Sequence, residues 1–319
     1  MTIALQAMPR GIGRLTAALG LAALVASTAS AQVIGVATMA PGSLNHTTGT
    51  AIARVAKAHA SLNALVQPTA GETVVLAIVG QGEADLGIAN ALEVVEATKN
   101  KQLPNLRLIG AIHPLYTAYF VRKDSPLRTI ADLKGKRVVS GFSAQRTLDI
   151  SGRALLAAGG IGDSDIKPVR VPNVVRGADE FVAGNSDTFF FAFGAPKVRE
   201  VDATAGGIRV LEVPEAGMKA AQTIFPQGYL ARVEPGPLFV GVERPMGVYT
   251  WDNLLFTNAK VADDVVYKVI KAMVEHKADL VTVQPALRAL TPEGLYKNFG
   301  VPYHPGALKY FSENKITVQ

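Results

Sequence analysis

The 319-residue sequence contains no cysteine, which excludes disulfide stapling, thiolate chemistry and a cysteine-linked lipid anchor together. It holds one tryptophan and five histidines, and only 18% of its residues are charged. A chain this poor in charge and 49% hydrophobic is not a disordered one, and its stability must come from core burial. The basic residues are scattered or sit beside acids, as in Arg122-Lys123-Asp124, and no Lys/Arg cluster is interleaved with aromatics. A nucleic-acid partner is therefore not expected. Beyond the N-terminal segment no apolar run is long enough to cross a bilayer, which takes about 20 residues.

What is present begins with a leader. Arg10 and Arg14 precede an apolar run from Leu15 to Val25, and Ala29-Ser30-Ala31 supplies the small residues that a signal peptidase requires. That run is too short for a stable span. Residues 1–31 read as a signal peptide cleaved after Ala31, with an uncleaved anchor helix as the alternative, and the protein is expected in the periplasm. Removing residues 1–31 from 319 leaves 288, and removing Arg10 and Arg14 from the net +6 leaves +4.

The mature sequence alternates strand and helix signals. Val33 to Thr38 reads as a strand, and Thr47 or Thr48 as the cap of a helix carrying Ile52, Val55, Ala56 and Ala60. Strands follow at Ala64–Gln67 and Leu86–Ala89, with a helix over Thr73–Val79 between them. The same order recurs after Lys123, with strands at Lys136–Ser140, Ile166–Val171 and Thr188–Phe193 and helices at Thr147–Ala158 and Val174–Val182. This alternation implies an α/β fold with a mostly parallel sheet. Tyr116–Arg122 and Leu238–Glu243 are the expected crossings between two lobes. Residues 32–120 with 241–319 would then form lobe I and residues 121–240 lobe II. The amphipathic stretch Ala262–Lys277 would complete lobe I, leaving a hinge and an interlobe cleft.

Several phrases, taken in order, resemble one family: the solute-binding subunits of TAXI-type TRAP transporters. They are Gly82-Glu83-Ala84-Asp85-Leu86-Gly87, Val121–Ser125 followed by Ile130–Val138, Asp187–Phe191 with Gly194-Ala195-Pro196, and His304–Phe311. The resemblance implies a type II-like periplasmic binding protein fold of two α/β lobes. It also implies capture of a small organic anion, a carboxylate or amino acid, and delivery to TRAP permease membrane subunits. No cofactor or metal is implied, and a freely hinging monomer is the simplest expectation. One departure stands out. The family's first loop is glycine-rich and ends in tyrosines, whereas here it runs Ala37 to His46 with Asn45 and His46 at the tyrosine-like positions, so the ligand should differ from the family's common one.

Ser43, Leu44, Asn45, His46 and Thr47 form the foremost polar cluster, at a strand-to-helix loop whose free N–H groups favour an anion. Helix capping alone would also explain the hydroxyls there. Asn90 ends a strand and either faces the cleft or forms a turn. Ser143, Arg146 and Thr147 are the second lobe's counterpart. Arg146 at a helix start opposes the dipole, which a fork gripping a carboxylate would repay; a solvent-exposed arginine or one paired with Asp149 is the alternative. Of Phe189, Phe190 and Phe191, alternation lets only some face one way; all three read first as buried core aromatics, with Phe190 the candidate to line the cleft. Tyr229, in a Pro-x-Gly-x-Tyr phrase, is placed near the ligand or hinge, and Trp251 serves equally well as core, rim or platform.

Catalysis finds no support. There is no His-Glu-x-x-His spacing, Gly80-x-Gly82 lacks the rest of a dinucleotide fingerprint, and Ser43 with His46 lacks an orienting acid. His46, His59, His113, His276 and His304 are dispersed along the chain, with no close metal-ligand pair. A periplasmic sensor that presents its closed form to a signalling receptor remains the alternative to a transporter subunit.

Overall fold

Strand and helix alternate because short β-branched runs are punctuated by Gly and Pro turns that open amphipathic helices. The computed structural model describes residues 32–99 and 102–319, and the expected leader over residues 1–31 lies outside them. The chain begins with β1 (Gln32–Thr38), α1 (Leu44–His59), β2 (Leu62–Pro68), α2 (Glu72–Gln81), β3 (Leu86–Asn90) and α3 (Ala91–Lys99). Gly82 closes α2 with φ at 83°, a left-handed conformation that a side chain would resist. The long β4 (Leu106–Arg122) carries the chain into the second lobe. There follow β5 (Arg137–Ser140), α4 (Arg146–Ala158), β6 (Lys167–Arg170), α5 (Val174–Val182), β7 (Phe189–Ala192) and α6 (Pro196–Thr204). Next come β8 (Ile208–Val210), α7 (Met218–Ile224) and β9 (Tyr229–Val233). The chain ends with β10 (Met246–Asn258), α8 (Asp263–Glu275), α9 (Lys277–Val283) and α10 (Pro305–Glu313).

The main sheet runs β2-β1-β3-β10-β4-β7, with β8 beside β4 and β9 beside β10. β2, β1 and β3 are parallel, while β10 is antiparallel to both β3 and β4. The first part of β4 and the last part of β10 belong to lobe I. The other ends of the same two strands pair with β7, β8 and β9 in lobe II. The chain therefore returns through β10. This corrects the crossing expected at Leu238–Glu243, which is a run of turns and bends where Gly241 takes φ of 86°.

The two lobes have different interiors. Lobe I is largely aliphatic where Ile34, Val36, Ile52 and Val55 meet Val265, Val266, Val269 and Ile270 of α8, which packs on α1 and α10, with an aromatic group of Tyr296, Tyr303 and Phe311 beside it. Lobe II is aromatic, with Phe189 against Phe120 (4.9 Å between centroids) and Phe181 (4.9 Å). Met39, Leu44, Leu92 and Leu115 of lobe I join the lobe II cluster, so the cores meet across the interface between the lobes. Among the described residues no helix is long and apolar enough to cross a membrane.

Phe189 is fully buried and touches aromatic rings on two sides. Phe189→Ala is expected to cost about 3–5 kcal/mol in urea unfolding, mostly as an unfilled cavity. A loss below 1 kcal/mol would mean that lobe II does not depend on this stack.

Candidate functional site

Because β1, β2 and β3 run parallel, their ends at Thr38, Pro68 and Asn90 share one edge of the sheet, and α1 and α2 begin there. In lobe II, β5 and β6 are parallel and a parallel bridge from Val138 to Thr188 aligns β7 with them. Their ends and the starts of α4, α5 and α6 form a second such edge. The two edges face each other across a closed seam. The Lys197 amide donates to the Gly42 carbonyl at 3.2 Å, and Gln145 Nε2 approaches Met39 Sδ at 3.6 Å. Gln284 Nε2 donates to Thr47 Oγ1 at 2.6 Å and lies 3.4 Å from the Gly194 carbonyl. Gly71 lies against the Ala144 carbonyl, so closely that a Cβ there would overlap it.

A small cavity remains within the seam. Lobe I contributes Ser43, Leu44, Asn45 and Glu72, and lobe II contributes Leu148, Val174, Phe190 and Phe191. Its volume of about 20 Å³ is room for little more than one water, so a solute enters only if the lobes part.

Glu72, 1% exposed, is the centre of the polar side. Its Oε1 accepts from Asn45 Nδ2 at 2.8 Å and from the Asn90 amide at 3.2 Å, and its Oε2 accepts from Asn90 Nδ2. The direction of these bonds is fixed from outside the cavity. His113 Nδ1 faces the Pro114 carbonyl at 2.8 Å and must donate, so Nε2 of the neutral ring is an acceptor. Asn253 therefore turns its Nδ2 toward His113 Nε2 (3.4 Å) and donates to Asn45 Oδ1 (2.8 Å), leaving its own Oδ1 unpartnered. Asn45 then has only its NH₂ to offer Glu72. Asn90 is oriented likewise, because its Oδ1 accepts from the Glu93 amide at 3.0 Å.

Burial pushes the Glu72 carboxyl up to about 8, helped by the nearby Glu93 and opposed by the amide hydrogen bonds. Burial also drives His113 down to about 4, which agrees with a neutral ring.

The residues expected from the sequence divide. Ser43, Leu44, Asn45 and Phe190 line the cavity, and Asn90 grips Glu72 from behind. Ser43, not Thr47 or Thr48, caps α1, accepting from the His46 amide at 3.1 Å. Thr47 Oγ1 bonds back to the Leu44 carbonyl, and His46 Nδ1 meets Thr38 Oγ1 at 3.2 Å, so neither side chain faces the cavity. Arg146 and Thr147 line a separate groove with Thr73, Glu93 and Glu96, where the Arg146 charge and the Thr147 amide act on Glu93. The two-sided grip by Asn45 and Arg146 therefore does not form. Ser143 is exposed, and Tyr229 is an exposed residue of β9. Trp251 is buried in lobe II, 1% exposed.

Folding also brings together two histidines that are far apart in sequence. His59 stacks on His276 at 3.5 Å, with Asp279 2.9 Å from His59 Nε2. The rings lie 6° from parallel, so their in-plane lone pairs do not converge on one point.

Glu72 itself was missed, together with Met39, Leu148, Val174 and Phe191. Its only sequence signal is that it is the sole acid of an otherwise apolar helix, placed at the first turn, where a carboxylate commonly just complements the dipole.

Folded Glu72 keeps a proton that the unfolded chain releases near 4.5, so this group's contribution to stability is lost as pH rises from that value through about 8. His113, His46 and His304 are all held below the ordinary imidazole value of 6.5 by burial and have the opposite sign, an effect that saturates as pH rises past that value. Between pH 6.5 and 8 the fall therefore comes from the carboxyls that burial raises, Glu72 foremost with Glu93 beside it. Over that window urea-unfolding stability should fall by about 1 kcal/mol per pH unit. Glu72→Gln should flatten the fall; an unchanged slope would remove Glu72 as its source.

A model of the NMT1-like family matches residues 36–314. Among solved structures, PhnD1 from Prochlorococcus marinus (MIT 9301), in complex with methylphosphonate, superposes with a TM-score of 0.55 at 10% identity, covering 81% of this chain and 91% of that one. A protein from Bordetella bronchiseptica RB50 superposes at 0.52 with 14% identity, covering 89% and 98%. At such identities the likeness is one of fold. The shared fold is a two-lobed α/β architecture of the type II periplasmic binding protein kind. With the family match spanning nearly all the described residues, this chain belongs to the NMT1-like family.

Proposed function

We propose that this protein is an extracytoplasmic solute-binding subunit of a transporter, which captures a small organic solute by lobe closure and delivers it to a membrane permease. The observation that carries this reading is the seam itself. Two carboxyl-end edges face each other around a cavity with a polar wall from lobe I and an apolar wall from lobe II, and among the described residues the strands that pass continuously between the lobes, as a hinge would, are β4 and β10. Each lobe alone offers half of the contacts, so binding and closure are one equilibrium. The leader over residues 1–31 supports export. The ordered phrases from Gly82 to Phe311 support a TAXI-type TRAP permease as the partner. Arg146 stands outside the cavity, so the polar side of the solute is met by Glu72 and Asn45, with Asn90 bracing Glu72 from behind, and not by an arginine clamp. It works as a binding protein, not an enzyme.

A thermal-shift screen of carboxylates, amino acids, sulfonates and amines is expected to yield one class that raises the melting temperature. Arg146→Ala should respond as the parent does. Gly71→Ala adds a methyl where Ala144 must approach, so it penalises the closed form without touching the cavity. It should weaken the solute found in the screen by about tenfold and raise the radius of gyration in X-ray scattering. If Gly71→Ala binds like the parent and is equally compact, closure along this seam is not the capturing step.

A further inference from the structure

We infer that the solute presents a protonated amine to Glu72 and lays an apolar body against Leu44, Leu148, Val174, Phe190 and Phe191. This inference rests on the solute-capture reading and deepens it by naming the cargo's charge.

The cavity wall holds one carboxyl group and no lysine or arginine. The basic groups of the neighbouring elements are engaged elsewhere. Lys197 Nζ is held by Asp179 (2.7 Å) and Glu200 (2.6 Å), Lys297 by Asp252 (2.9 Å), and Arg146 acts on Glu93 in the outer groove. Glu93 is the other charged group felt by Glu72, and it has the same sign. An anionic cargo would meet no cation on this wall and would hold the Glu72 carboxyl still more firmly in its protonated form.

The amides show which form of Glu72 the site is built to hold. Asn45, Asn90 and the Asn90 main chain present three N–H donors to its two oxygens, and their direction is locked by Asn253, His113 and the Glu93 amide. Three donors suit an acceptor-only carboxylate. What the carboxylate lacks is a counter-charge, and the open side of the site is the cavity. Without a solute, burial keeps the carboxyl protonated near neutrality. An arriving ammonium replaces that proton: Glu72 releases H⁺ to solvent and the ammonium, still fully protonated, takes the donor position. The remaining lining is apolar and suits a hydrocarbon or aromatic body rather than a second charged group.

The test is calorimetry on the purified protein at pH 7.0. One panel holds primary amines from ethylamine to phenethylamine, and a parallel panel holds the carboxylates and alcohols of the same bodies. Amines are expected to bind at least tenfold tighter than their carboxylate and alcohol counterparts. Their heats should vary with buffer ionisation enthalpy in the sense of proton release. Glu72→Gln should weaken amine binding at least tenfold and abolish the proton release, and circular dichroism should show the variant folded. If Glu72→Gln does not fold, proton release by the parent with amines and not with alcohols decides the matter. Tighter binding of carboxylates, or amine binding unaffected in Glu72→Gln, overturns the inference and leaves solute capture standing. No binding by the amine panel, with a hit from another class in the thermal-shift screen, overturns it likewise. No hit in any class, with no compaction by scattering, removes the capture reading beneath it.

Discussion

The antiparallel pairing of β4 with β10 is the constraint on which the rest depends. These two strands exchange hydrogen bonds from Asn258–Leu106 at one end to Tyr249–Thr117 at the other, and each then pairs with lobe II strands beyond that point. Every other element of either lobe hangs from this ladder. Continuous strands resist stretching but tolerate twist and bending, so they permit the lobes to swing while keeping the two sheet edges opposed. Register shifts between Asn253 and Leu254 and between Leu255 and Phe256 put irregularities into the ladder beside the polar cluster. Irregularities of this kind re-aim side chains, and Asn253 is the residue that orients Asn45.

From that ladder the chemistry of the seam follows in order. The parallel strands of lobe I bring three chain segments, at Ser43–Asn45, Gly71–Glu72 and Asn90, to one edge, where they knit a polar network that is almost wholly buried. Lobe II answers with an apolar wall. Such a pairing is poor at holding the lobes shut by polar contacts alone, since few hydrogen bonds cross the seam. On the proposed reading, closure depends instead on apolar burial and on what satisfies Glu72.

Much of this was legible in the sequence. Apolar periodicity and Gly/Pro punctuation located the strands and helices of both lobes, including α8 and the helix after the first strand. The rule that ligands meet strand ends pointed to Asn45, which lines the cavity, and to Asn90, which bonds Glu72. What failed did so for identifiable reasons. Arg146 was placed by analogy between two strand-loop-helix turns, but in lobe II the loop turns Gln145 inward, where its Oε1 accepts from the Val174 amide at 2.9 Å, while Arg146 points out to Glu93's groove. The second crossing was set at an apolar stretch that Gly241 breaks into turns. Glu72 was overlooked because a first-turn acid looks ordinary in sequence, and the groups that enclose it, Asn45 and Asn90, come from other parts of the chain. Burial produced by two distant segments meeting leaves no local signature.

The sole tryptophan has an optical consequence. Trp251 sits on β10 directly opposite Leu115 of β4, and Leu115 lines the cavity. Its indole is wedged edge-on against Phe225 at 5.0 Å and Tyr249 at 5.6 Å and is sealed from water. Tryptophan-selective ultraviolet emission from the folded protein thus originates at a single indole on the linking strand, one residue pair from the pocket wall. The chain carries a built-in lamp at its own fulcrum, and lobe motion can be followed there with no dye attached.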